Sequence, residues 1–590
     1  MVLLWDIGTI ILVATVSAFI ARLLKQPLIL AYVVTGILIG PWGLKLITQE
    51  SIIRTLADLG IAFLLFMVGL ELNLDRLKSV GKVSVGCGMG QIVITFIFGF
   101  ILATLLGYGN IEAFYIGFAI TISSTMIVIK LLSDKEELDT LHGKIILGTL
   151  LMQDIVTIMV LAIMTTFDSF SLMSILTAAV TALGLMAVAI LSGKYILPPL
   201  IWFASKSVEL LFLTALAWFF AFSAFSHIAF ETLLGFAGSA ISIGSFLAGV
   251  SLASFPQNLE IVSRIRSLKD FFVTIFFVSL GMQVKLQLPV MQNMMVISIF
   301  VLIVTPFIIM LLCSFFGYGK RTAVLTGLAL AQISEFSLVL AAQGISLGHI
   351  SPDVFSLMTW TMLVTSTISS YYILHDSEIY NKLLPHLKFL DRFSRENVLE
   401  DVPANKKSDV ILFGCDRMGS TIIKTLQAMK KEFIVVDLNP DIIKSLMGQR
   451  IPSVYGDVGD LEIMEKVNLR DADVVISTIP YLNENLLTIE ETRKRNPNAI
   501  VITTAKNSDN ALTLYKGGAD YVIIPHMLGG EKASEFIMDY MVDKNEFTYL
   551  RKKHIAHLEN QNRLDFLMRY EPSFMGLLER KFEHRFDYKT

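Results

Sequence analysis

The stretch Gly148-Thr-Leu-Leu-Met-Gln-Asp-Ile-Val-Thr157 decides the fold class of this chain. Its carboxylate, Asp154, lies about nine residues into an apolar run that is long enough to cross a membrane. A charge at the centre of a bilayer costs at least ~2.5–3.5 kcal/mol on insertion scales, so such a residue indicates function. The stretch therefore predicts a helical membrane protein with a functional carboxylate in its interior. A structural hydrogen bond to a neighbouring helix is the alternative interpretation of Asp154.

The composition of the whole chain agrees with a membrane protein. Of its 590 residues, 54% are hydrophobic and 17% are charged, whereas an ordinary soluble protein has about 25% charged residues. The net charge of −3 does not favour a nucleic-acid partner. The three cysteines and nine histidines lack the spacing of a disulfide framework or a metal cluster, so we expect neither.

Apolar runs follow one another from Met1 to about Leu374, and charges become frequent after that point. A helix needs about 20 apolar residues to cross a hydrocarbon core of about 30 Å. This part of the chain is therefore predicted to be a multi-pass domain in a lipid bilayer. The sequence predicts about thirteen spans, near 3–21, 28–43, 53–72, 83–107, 111–129, 145–166, 172–191, 209–227, 233–254, 270–282, 291–315, 323–345 and 354–374.

Lysine and arginine are distributed unevenly between the loops on the two sides of these spans. With the N-terminus outside, about fifteen basic residues fall in inner loops and three in outer loops. Basic residues accumulate on the cytoplasmic side of membrane proteins. The pattern predicts a protein of the cytoplasmic (inner) membrane with its N-terminus outside and its soluble C-terminal half in the cytoplasm.

Three further acidic residues stand out in the predicted spans. Asp58 and Glu71 are near the ends of the third span, where a solvated end residue and a functional residue are equally reasonable interpretations. Glu335 lies in the middle of the twelfth span, in Ala331-Gln-Ile-Ser-Glu-Phe-Ser337. Both an ion-binding role and a helix-stabilising role remain open for Glu335.

Two spans have polar centres that favour local unwinding. They are the fifth, with Ala119-Ile-Thr-Ile-Ser-Ser-Thr-Met126, and the twelfth, around Glu335. Hydroxyl side chains can satisfy the backbone groups that unwinding frees. In secondary transporters, broken helices in matching positions of two inverted repeats cross near the ion site. If the seventh span is a linker, the fifth and twelfth spans occupy matching positions, which predicts two broken, crossing helices.

At these residues the chain resembles the second monovalent cation:proton antiporter family, in particular its Kef-type potassium/proton antiporters. The resemblance implies a homodimer through membrane and cytoplasmic domains, in which a core domain moves against a dimer domain. It implies transport, and not an enzyme activity: K+ or Na+ is exchanged for H+, with the cation or proton carried at Asp154. Kef-type systems also respond to glutathione and to an ancillary cytoplasmic protein. The matching segments are Gly36–Gly43, Phe63–Leu72, Ser123–Leu132, Gln153-Asp154, Phe276–Met282 and Gln332–Phe336.

The residue before Asp154 bears on the ion and on the stoichiometry. Sodium-selective, electrogenic relatives carry two adjacent aspartates, whereas this chain has Gln153-Asp154, as Kef-type proteins do. One carboxylate is neutralised by one proton or by one monovalent cation, so exchange is predicted to be near one-for-one and electroneutral. A sodium/proton antiporter of the same family is the rival hypothesis. The predicted K+ and H+ site comprises Ser123, Ser124, Thr125, Gln153, Asp154 and Glu335, with K+ at Asp154.

The eleventh span departs from the family. Many relatives place there a lysine that pairs with the aspartate, but Pro306 stands at that position in this chain. No charged residue occurs between Lys285 and Lys320. The empty aspartate must then be stabilised in another way, by a proton or by a hydroxyl network.

The C-terminal half alternates predicted strands and helices, which indicates a parallel, doubly wound α/β sheet. Its strands are predicted at 409–414, 433–437, 453–457, 472–478, 499–504 and 521–525. It resembles the regulator-of-potassium-conductance (RCK, TrkA-N) domain, a Rossmann-like fold. The predicted domains are a transmembrane exchange domain (1–378), a cytoplasmic linker (379–407), the RCK domain (408–530) and a helical tail (531–590).

The glycine loop of this module departs from the dinucleotide-binding pattern G-x-G-x-x-G. The loop is Gly414-Cys-Asp-Arg-Met-Gly419, so Asp416 replaces the glycine that normally lets the backbone approach a pyrophosphate. An adenine mononucleotide such as AMP is therefore favoured over NADH, and a module that binds no nucleotide stays an alternative. The predicted nucleotide-binding residues are Gly414, Asp416, Arg417, Met418, Gly419, Asp437, Asp457 and Thr478.

Two other function classes fit the sequence less well than an antiporter. A ligand-gated K+ channel would need a selectivity filter of the TVGYG type, and the two Gly-Tyr-Gly sequences, Gly107–Gly109 and Gly317–Gly319, lack the preceding Thr-Val. A membrane-bound dehydrogenase would need catalytic pairs and a substrate domain, which the sequence does not show. The antiporter regulated by a nucleotide is the favoured hypothesis.

Overall fold

In the computed structural model the described residues are 2–47, 50–71, 74–135, 137–138, 140–164, 172–234, 240–285, 287–383, 386–387, 408–415, 417–456, 458, 461–540, 551–552 and 554–555. The chain divides into two compact units, Met1–Arg395 and Glu396–Thr590. Most of the predicted linker 379–407 and of the predicted tail 531–590 lies outside the described residues, so those two boundaries stay predictions.

All the regular secondary structure in the described residues of the first unit is helical. Its helices match the thirteen predicted spans. Six helical segments among the described residues are long and apolar enough to cross a membrane, and two of the six continue through a π-helical turn. The helices are α1 (Val2–Leu23), α2 (Leu28–Ile39), α3 (Glu50–Glu71), α4 (Leu74–Leu105), α5 (Asn110–Ala119), α6 (Thr125–Asp134), α7 (Leu141–Met164), α8 (Leu172–Leu191), α9 (Leu197–Ala204), α10 (Val208–Leu234), α11 (Ala240–Leu252), α12 (Asn258–Met282), α13 (Leu288–Ile299), α14 (Thr305–Phe315), α15 (Lys320–Ala329), α16 (Glu335–Ser346), α17 (Pro352–Leu374) and α18 (Asp376–Leu383).

The fifth and twelfth predicted spans are each broken into two helices, as expected. The fifth is α5 followed by α6, and the twelfth is α15 followed by α16. Serine side chains begin the second helix of each pair: the Ser124 hydroxyl accepts from the N–H of Ile127 at 3.3 Å, and the Ser334 hydroxyl accepts from the N–H of Phe336 at 3.1 Å. These hydroxyls satisfy backbone donors that the breaks leave free.

Several predicted boundaries differ from those of the helices, and the tenth span is the clearest case. The span predicted at 270–282 is a helix of 25 residues, α12, that begins at Asn258. The predicted span begins only after Lys269, because the basic residues Arg264, Arg266 and Lys269 lower the hydropathy of the first half of the helix. Lysine and arginine are good helix formers, so the helix continues through them and they do not lie in a loop.

In two places a widened helical turn comes just before a proline. A π-helical turn, Ser192–Ile196, joins α8 to α9 just before Pro198, and another, Phe300–Val304, joins α13 to α14 just before Pro306. Proline has no N–H and its ring crowds the preceding turn. A local widening of the helix accommodates it without ending the span.

Small residues let four helices of this unit approach closely. Gly36 of α2 faces Gly281 of α12, and a Cβ on Gly36 would overlap the carbonyl oxygen of Val278. Gly69 of α3 faces Gly249 of α11 in the same way. Close backbone contact of this kind is how helices pack when lipid offers no hydrophobic driving force. Helices α2, α3, α11 and α12 therefore form one tightly packed group.

The second unit contains a six-stranded parallel sheet in the order β3-β2-β1-β4-β5-β6. In the register of the central strands, Val410 lies opposite Phe433 and Val474. All six predicted strands are confirmed, with helices between them. The elements are β1 (Val410–Phe413), α19 (Arg417–Ala428), β2 (Phe433–Asp437), α20 (Pro440–Gly448), β3 (Ser453–Tyr455), α21 (Leu461–Lys466), β4 (Val474–Ser477), α22 (Leu482–Arg495), β5 (Ile500–Thr504), α23 (Ser508–Lys516), β6 (Tyr521–Ile523) and α24 (Pro525–Tyr540).

The strand order reverses between β1 and β4. The first three strands of the unit extend the sheet in one direction, from β1 through β2 to β3. The last three extend it in the opposite direction, from β4 through β5 to β6. Ligands of such sheets bind at the carboxyl ends of the strands, beside this reversal. The glycine loop after β1 lies at that position.

Candidate functional site

Asp154 is held by the broken fifth span. It is buried in α7, with 6% of its surface exposed. The hydroxyl of Thr125, the first residue of α6, donates to the Asp154 carboxylate at 3.1 Å from Oδ2 and 3.3 Å from Oδ1. A buried carboxylate is stabilised by such a donor. The bond places the oxygen atoms of Asp154 at the break in the fifth span.

Gln153 holds the unwound stretch between α5 and α6. Its Oε1 accepts from the N–H of Ser123 at 2.9 Å, and its Nε2 donates to Oε1 of Gln91 at 2.8 Å. Gln91, in α4, donates in turn from its own Nε2 to the carbonyl oxygen of Thr121 at 3.0 Å. The two amides therefore form a clamp that joins α4 and α7 to the backbone of residues 121 and 123.

Gln91 is not among the site residues predicted from the sequence. Its side chain is buried in the apolar second half of α4. A single amide within an apolar run is the feature of the sequence that could have identified it. A neutral amide lowers hydropathy less than a charge does, so it did not stand out beside the acidic residues.

The two broken spans cross and bind each other through their backbones. The N–H of Ser334 donates to the carbonyl oxygen of Ile122 at 2.9 Å. The Ser123 hydroxyl donates to the carbonyl oxygen of Leu330 at 2.8 Å, and the Ser337 hydroxyl to that of Ala119 at 2.8 Å. The predicted pair of crossing, broken helices is thus a hydrogen-bonded unit.

Glu335 lies at the same crossing, as the first residue of α16, with 1% of its surface exposed. Neither of its carboxylate oxygens has a hydrogen-bond partner among the residues that the structure describes. The Ser124 side chain and the backbone of Met126 lie near this carboxyl group, and its charge acts on Asp154. The six predicted ion-site residues are therefore brought to one place.

The polar groups at the crossing of the two broken spans are of the kind that can bind a monovalent cation. Its groups are carboxylate, hydroxyl and carbonyl oxygens, which are ligands for hard cations. Helices α6 and α16 both begin here, and half-helix ends of this kind accompany ion sites in transporters. The described residues contain no group of three or more His, Cys, Asp and Glu side chains placed to hold a metal ion.

The other two acidic residues that stand out in the sequence, Asp58 and Glu71, are not buried. The Glu71 side chain is half exposed, and its carboxylate is 3.9 Å from a guanidinium nitrogen of Arg266. Asp58 is exposed. Pro306, which stands where many relatives place a lysine, is buried in α14.

The cytoplasmic unit places the predicted nucleotide residues around the end of β1. Asp437, at the end of β2, accepts from the N–H of Cys415 at 2.6 Å and from the N–H of Asn439 at 2.7 Å. The Thr478 hydroxyl, after β4, donates to the carbonyl oxygen of Gly414 at 3.1 Å. The loop between β1 and α19 is therefore fixed from both neighbouring strands.

Two glycines of the loop are needed for its shape. Gly414 has φ +88°, a conformation that side chains rarely allow, and a Cβ on Gly419 would overlap the carbonyl oxygen of Gly414. Met418 is half-buried in the first turn of α19. Asp416, Asp457 and the side chain of Arg417 lie outside the described residues, so their predicted roles stay predictions.

Two family models match the chain. The model described as sodium/hydrogen exchanger, transmembrane, matches residues 9–373. The TrkA-N domain model matches residues 410–525. The two matches cover the helical unit and the α/β unit, respectively.

Similar proteins carry the names of potassium transporters. The chain is 26% identical over 515 residues to the K(+) efflux antiporter 2, chloroplastic, of Arabidopsis thaliana, covering 84% of this chain and 42% of that protein. It is 26% identical over 505 residues to the glutathione-regulated potassium-efflux system protein KefC of Escherichia coli (strain K12), covering 83% of this chain and 78% of that protein. The chain thus spans less than half the length of its chloroplast relative.

A solved structure shares the fold of the helical unit. It is that of the sodium proton antiporter MjNhaP1 from Methanocaldococcus jannaschii, with a TM-score of 0.50 and 20% identity. The likeness covers 65% of this chain and 100% of that one. At this identity it shows the architecture of the helical unit.

Proposed function

Because the chain belongs to the sodium/hydrogen exchanger family, we propose that it exchanges K+ for H+ across the membrane in which its helical unit lies. The observation that carries the proposal is the bond from Thr125 to the buried carboxylate of Asp154 at the crossing of two broken helices. The names of the Arabidopsis and Escherichia coli relatives, both potassium-efflux proteins, support K+ as the cation.

Exchange follows from competition for one carboxylate. A proton on Asp154 removes the charge that attracts the cation, and a bound cation repels the proton. Asp154 is therefore occupied by one or the other, and each crossing of the membrane carries one of them. The neighbouring residue, Gln153, adds no titratable group, and both ends of its amide are engaged by Ser123 and Gln91. This supports a near one-for-one, electroneutral exchange.

The cytoplasmic unit is proposed to regulate exchange by binding an adenine nucleotide, with AMP as the specific proposal. The support is the loop Gly414–Gly419, which is fixed by Asp437 and Thr478 at the strand-order reversal. A ligand there changes activity by as much as its affinity differs between the active and the inactive state.

The assembly and its setting belong to the same proposal. We propose a homodimer that forms through both units, in the inner membrane, with the N-terminus outside and the α/β unit in the cytoplasm. The excess of basic residues in alternate loops supports this orientation. An ancillary cytoplasmic regulator is a further partner in the proposal.

The test is an exchange assay on the full-length protein in proteoliposomes that contain a pH-sensitive dye and hold an imposed pH gradient. Addition of K+, Na+, Rb+ or Li+ in separate samples shows which cation releases protons. We expect K+ to give the largest response at a given concentration. A response to Na+ with none to K+ would identify a sodium/proton antiporter, and the absence of any cation-dependent proton flux would contradict the proposed function.

A further inference from the structure

Two of the three cysteines in the chain lie side by side in the helical unit. Cys87 belongs to α4 and Cys313 to α14, and 226 positions separate them in the sequence. Their sulfur atoms are 3.6 Å apart, and both thiols are free. Both side chains are buried. The fold therefore encloses a pair of thiols that the spacing of the cysteines in the sequence does not indicate.

The packing of α4 against α14 places this pair. A Cβ added to Gly86 would lie 3.0 Å from the ring of Phe316, directly after α14. A Cβ added to Gly90 would lie 3.2 Å from the side chain of Leu312. Contacts that advance along α4 thus go backwards along α14, so the two helices are antiparallel. Because neither glycine has a side chain, α14 comes close to α4 on both sides of Cys87.

Both thiols lie at the ends of apolar, membrane-crossing segments. Cys87 is the second residue of the segment Gly86–Leu105, and Cys313 is the third residue from the end of Leu288–Phe315. One segment begins and the other ends here, so the pair lies at one side of the membrane. Shortly after α14 come two of the basic residues that predict the cytoplasmic side. A small solute of the cytoplasm therefore needs to pass only the end of the helices to reach the pair.

Two thiols in contact have a chemistry that one buried thiol lacks. A single buried cysteine is usually unreactive. When a second thiol lies beside it, the sulfenic acid that an oxidant forms on one sulfur condenses with the other. The oxidant in this reaction is a hydroperoxide, of which hydrogen peroxide is the simplest.

The reaction balances with one molecule of hydrogen peroxide. One thiol gives up its proton and its sulfur attacks an oxygen of the peroxide. The O–O bond breaks, the other oxygen leaves as water, and a sulfenic acid remains. The second sulfur then attacks the sulfenic sulfur, the S–S bond forms, and the oxygen leaves as a second water. The two thiols lose two electrons and two protons in total, and the peroxide is reduced to two waters.

The pair is close to the residues that hold the ion site. Cys87 lies one turn before Gln91 on the same face of α4, since residues four apart are neighbours on a helix. Gln91 is one half of the clamp that holds the unwound stretch of the fifth span. Helix α14 packs on α15, the first half of the broken twelfth span. A disulfide brings the sulfur atoms from 3.6 Å to about 2.05 Å, so it pulls on α4 one turn from the clamp.

We propose that Cys87 and Cys313 are a redox-active dithiol, and that its oxidation to a disulfide slows ion exchange. Cytoplasmic thiols are kept reduced, and the disulfides that form there are mostly transient and redox-sensing. The pair is therefore open at rest and closes when a hydroperoxide accumulates. The change in rate rests on the proposed K+/H+ exchange, whereas the formation of the disulfide does not.

The first experiment identifies the bond in the full-length protein. Proteoliposomes are treated with hydrogen peroxide, the protein is denatured and alkylated, and it is digested without a reducing agent for mass spectrometry. We expect the peptides of Cys87 and Cys313 to be joined, with two hydrogen atoms lost, and to separate after dithiothreitol. Cys415, a buried cysteine of the α/β unit, is the control in the same digest and should not be joined to either. Recovery of Cys87 and Cys313 as separate peptides, or joined only between two copies of the chain, would overturn the proposal.

The second experiment measures cation-induced proton flux before and after the same treatment. We expect the rate of the wild type to fall severalfold and to recover with dithiothreitol. Cys87→Ala and Cys313→Ala each keep one thiol of the pair, and neither should lose rate relative to its own untreated sample. A wild-type disulfide with no change in rate, or an equal loss in the alanine variants, would overturn the effect on exchange. An untreated wild type without cation-dependent flux would instead contradict the proposed function, and the mass measurement would still decide whether the dithiol exists.

Discussion

The hydroxyl of Thr125 lies 3.1 and 3.3 Å from the two carboxylate oxygens of Asp154. The two residues come from different spans, α6 and α7, and the bond joins a helix start to a buried charge. The carboxylate that is proposed to bind K+ is therefore hydrogen-bonded to the first residue of the helix that follows the unwound stretch. This relationship is the basis of the first two predictions.

Replacement of Asp154 by asparagine should abolish exchange while the protein still inserts and dimerises. The amide keeps the shape of the side chain but can take neither a cation by charge nor a proton. Cation-induced proton release in proteoliposomes measures the loss. Asp58→Asn is the matched control, since Asp58 is an exposed carboxylate in α3, and it should retain exchange. Exchange at the wild-type rate by Asp154→Asn would remove Asp154 from the site.

Replacement of Thr125 by valine should weaken K+ binding. Valine has nearly the same shape, but it removes the donor to the ionised carboxylate, a bond that typically contributes about 1.5–3 kcal/mol. The K+ concentration for half-maximal exchange should rise about tenfold or more, since about 1.4 kcal/mol corresponds to a factor of ten. Thr125→Ser keeps the hydroxyl and should stay near the wild type. Equal effects of valine and serine would mean that the methyl group and not the hydroxyl matters.

Replacement of Gln91 by leucine should destabilise the unwound stretch. It leaves Nε2 of Gln153 and the carbonyl oxygen of Thr121 without their partner, and each buried polar group left unpaired costs about 1–3 kcal/mol. We expect a lower thermal unfolding midpoint in detergent and slower exchange. Gln283→Leu is the control, because the Gln283 amide bonds to Ser279 of its own helix at 3.3 Å. A Gln91→Leu midpoint equal to that of the wild type would show that the clamp contributes no stability.

AMP should bind the full-length protein more tightly than NADH. In the sequence, Asp416 replaces the glycine that lets the backbone of a dinucleotide-binding loop approach a pyrophosphate, whereas a mononucleotide has no pyrophosphate to place there. Titration calorimetry in detergent measures both affinities, and Asp416→Gly should improve NADH binding more than AMP binding. Tight binding of NADH by the unmodified protein would show that the loop accepts a pyrophosphate despite Asp416.

The breaks in the fifth and twelfth spans could be predicted because clusters of hydroxyl residues interrupt apolar runs. The six strands could be predicted because buried parallel strands have nearly continuous apolar sequence. In contrast, the clamp of Gln91 and Gln153 depends on which face of α4 meets α7, and periodicity does not give that contact. Lys269 falls outside the predicted span because its charge lowers the local hydropathy, whereas in the structure α12 runs through it and its side chain is buried.

The bond from the N–H of Ser334 to the carbonyl oxygen of Ile122 belongs to the main chain at both ends. The bond itself uses neither side chain, so it remains as long as both spans stay broken. Side chains around the crossing can therefore be replaced one at a time while this contact between the two backbones is kept.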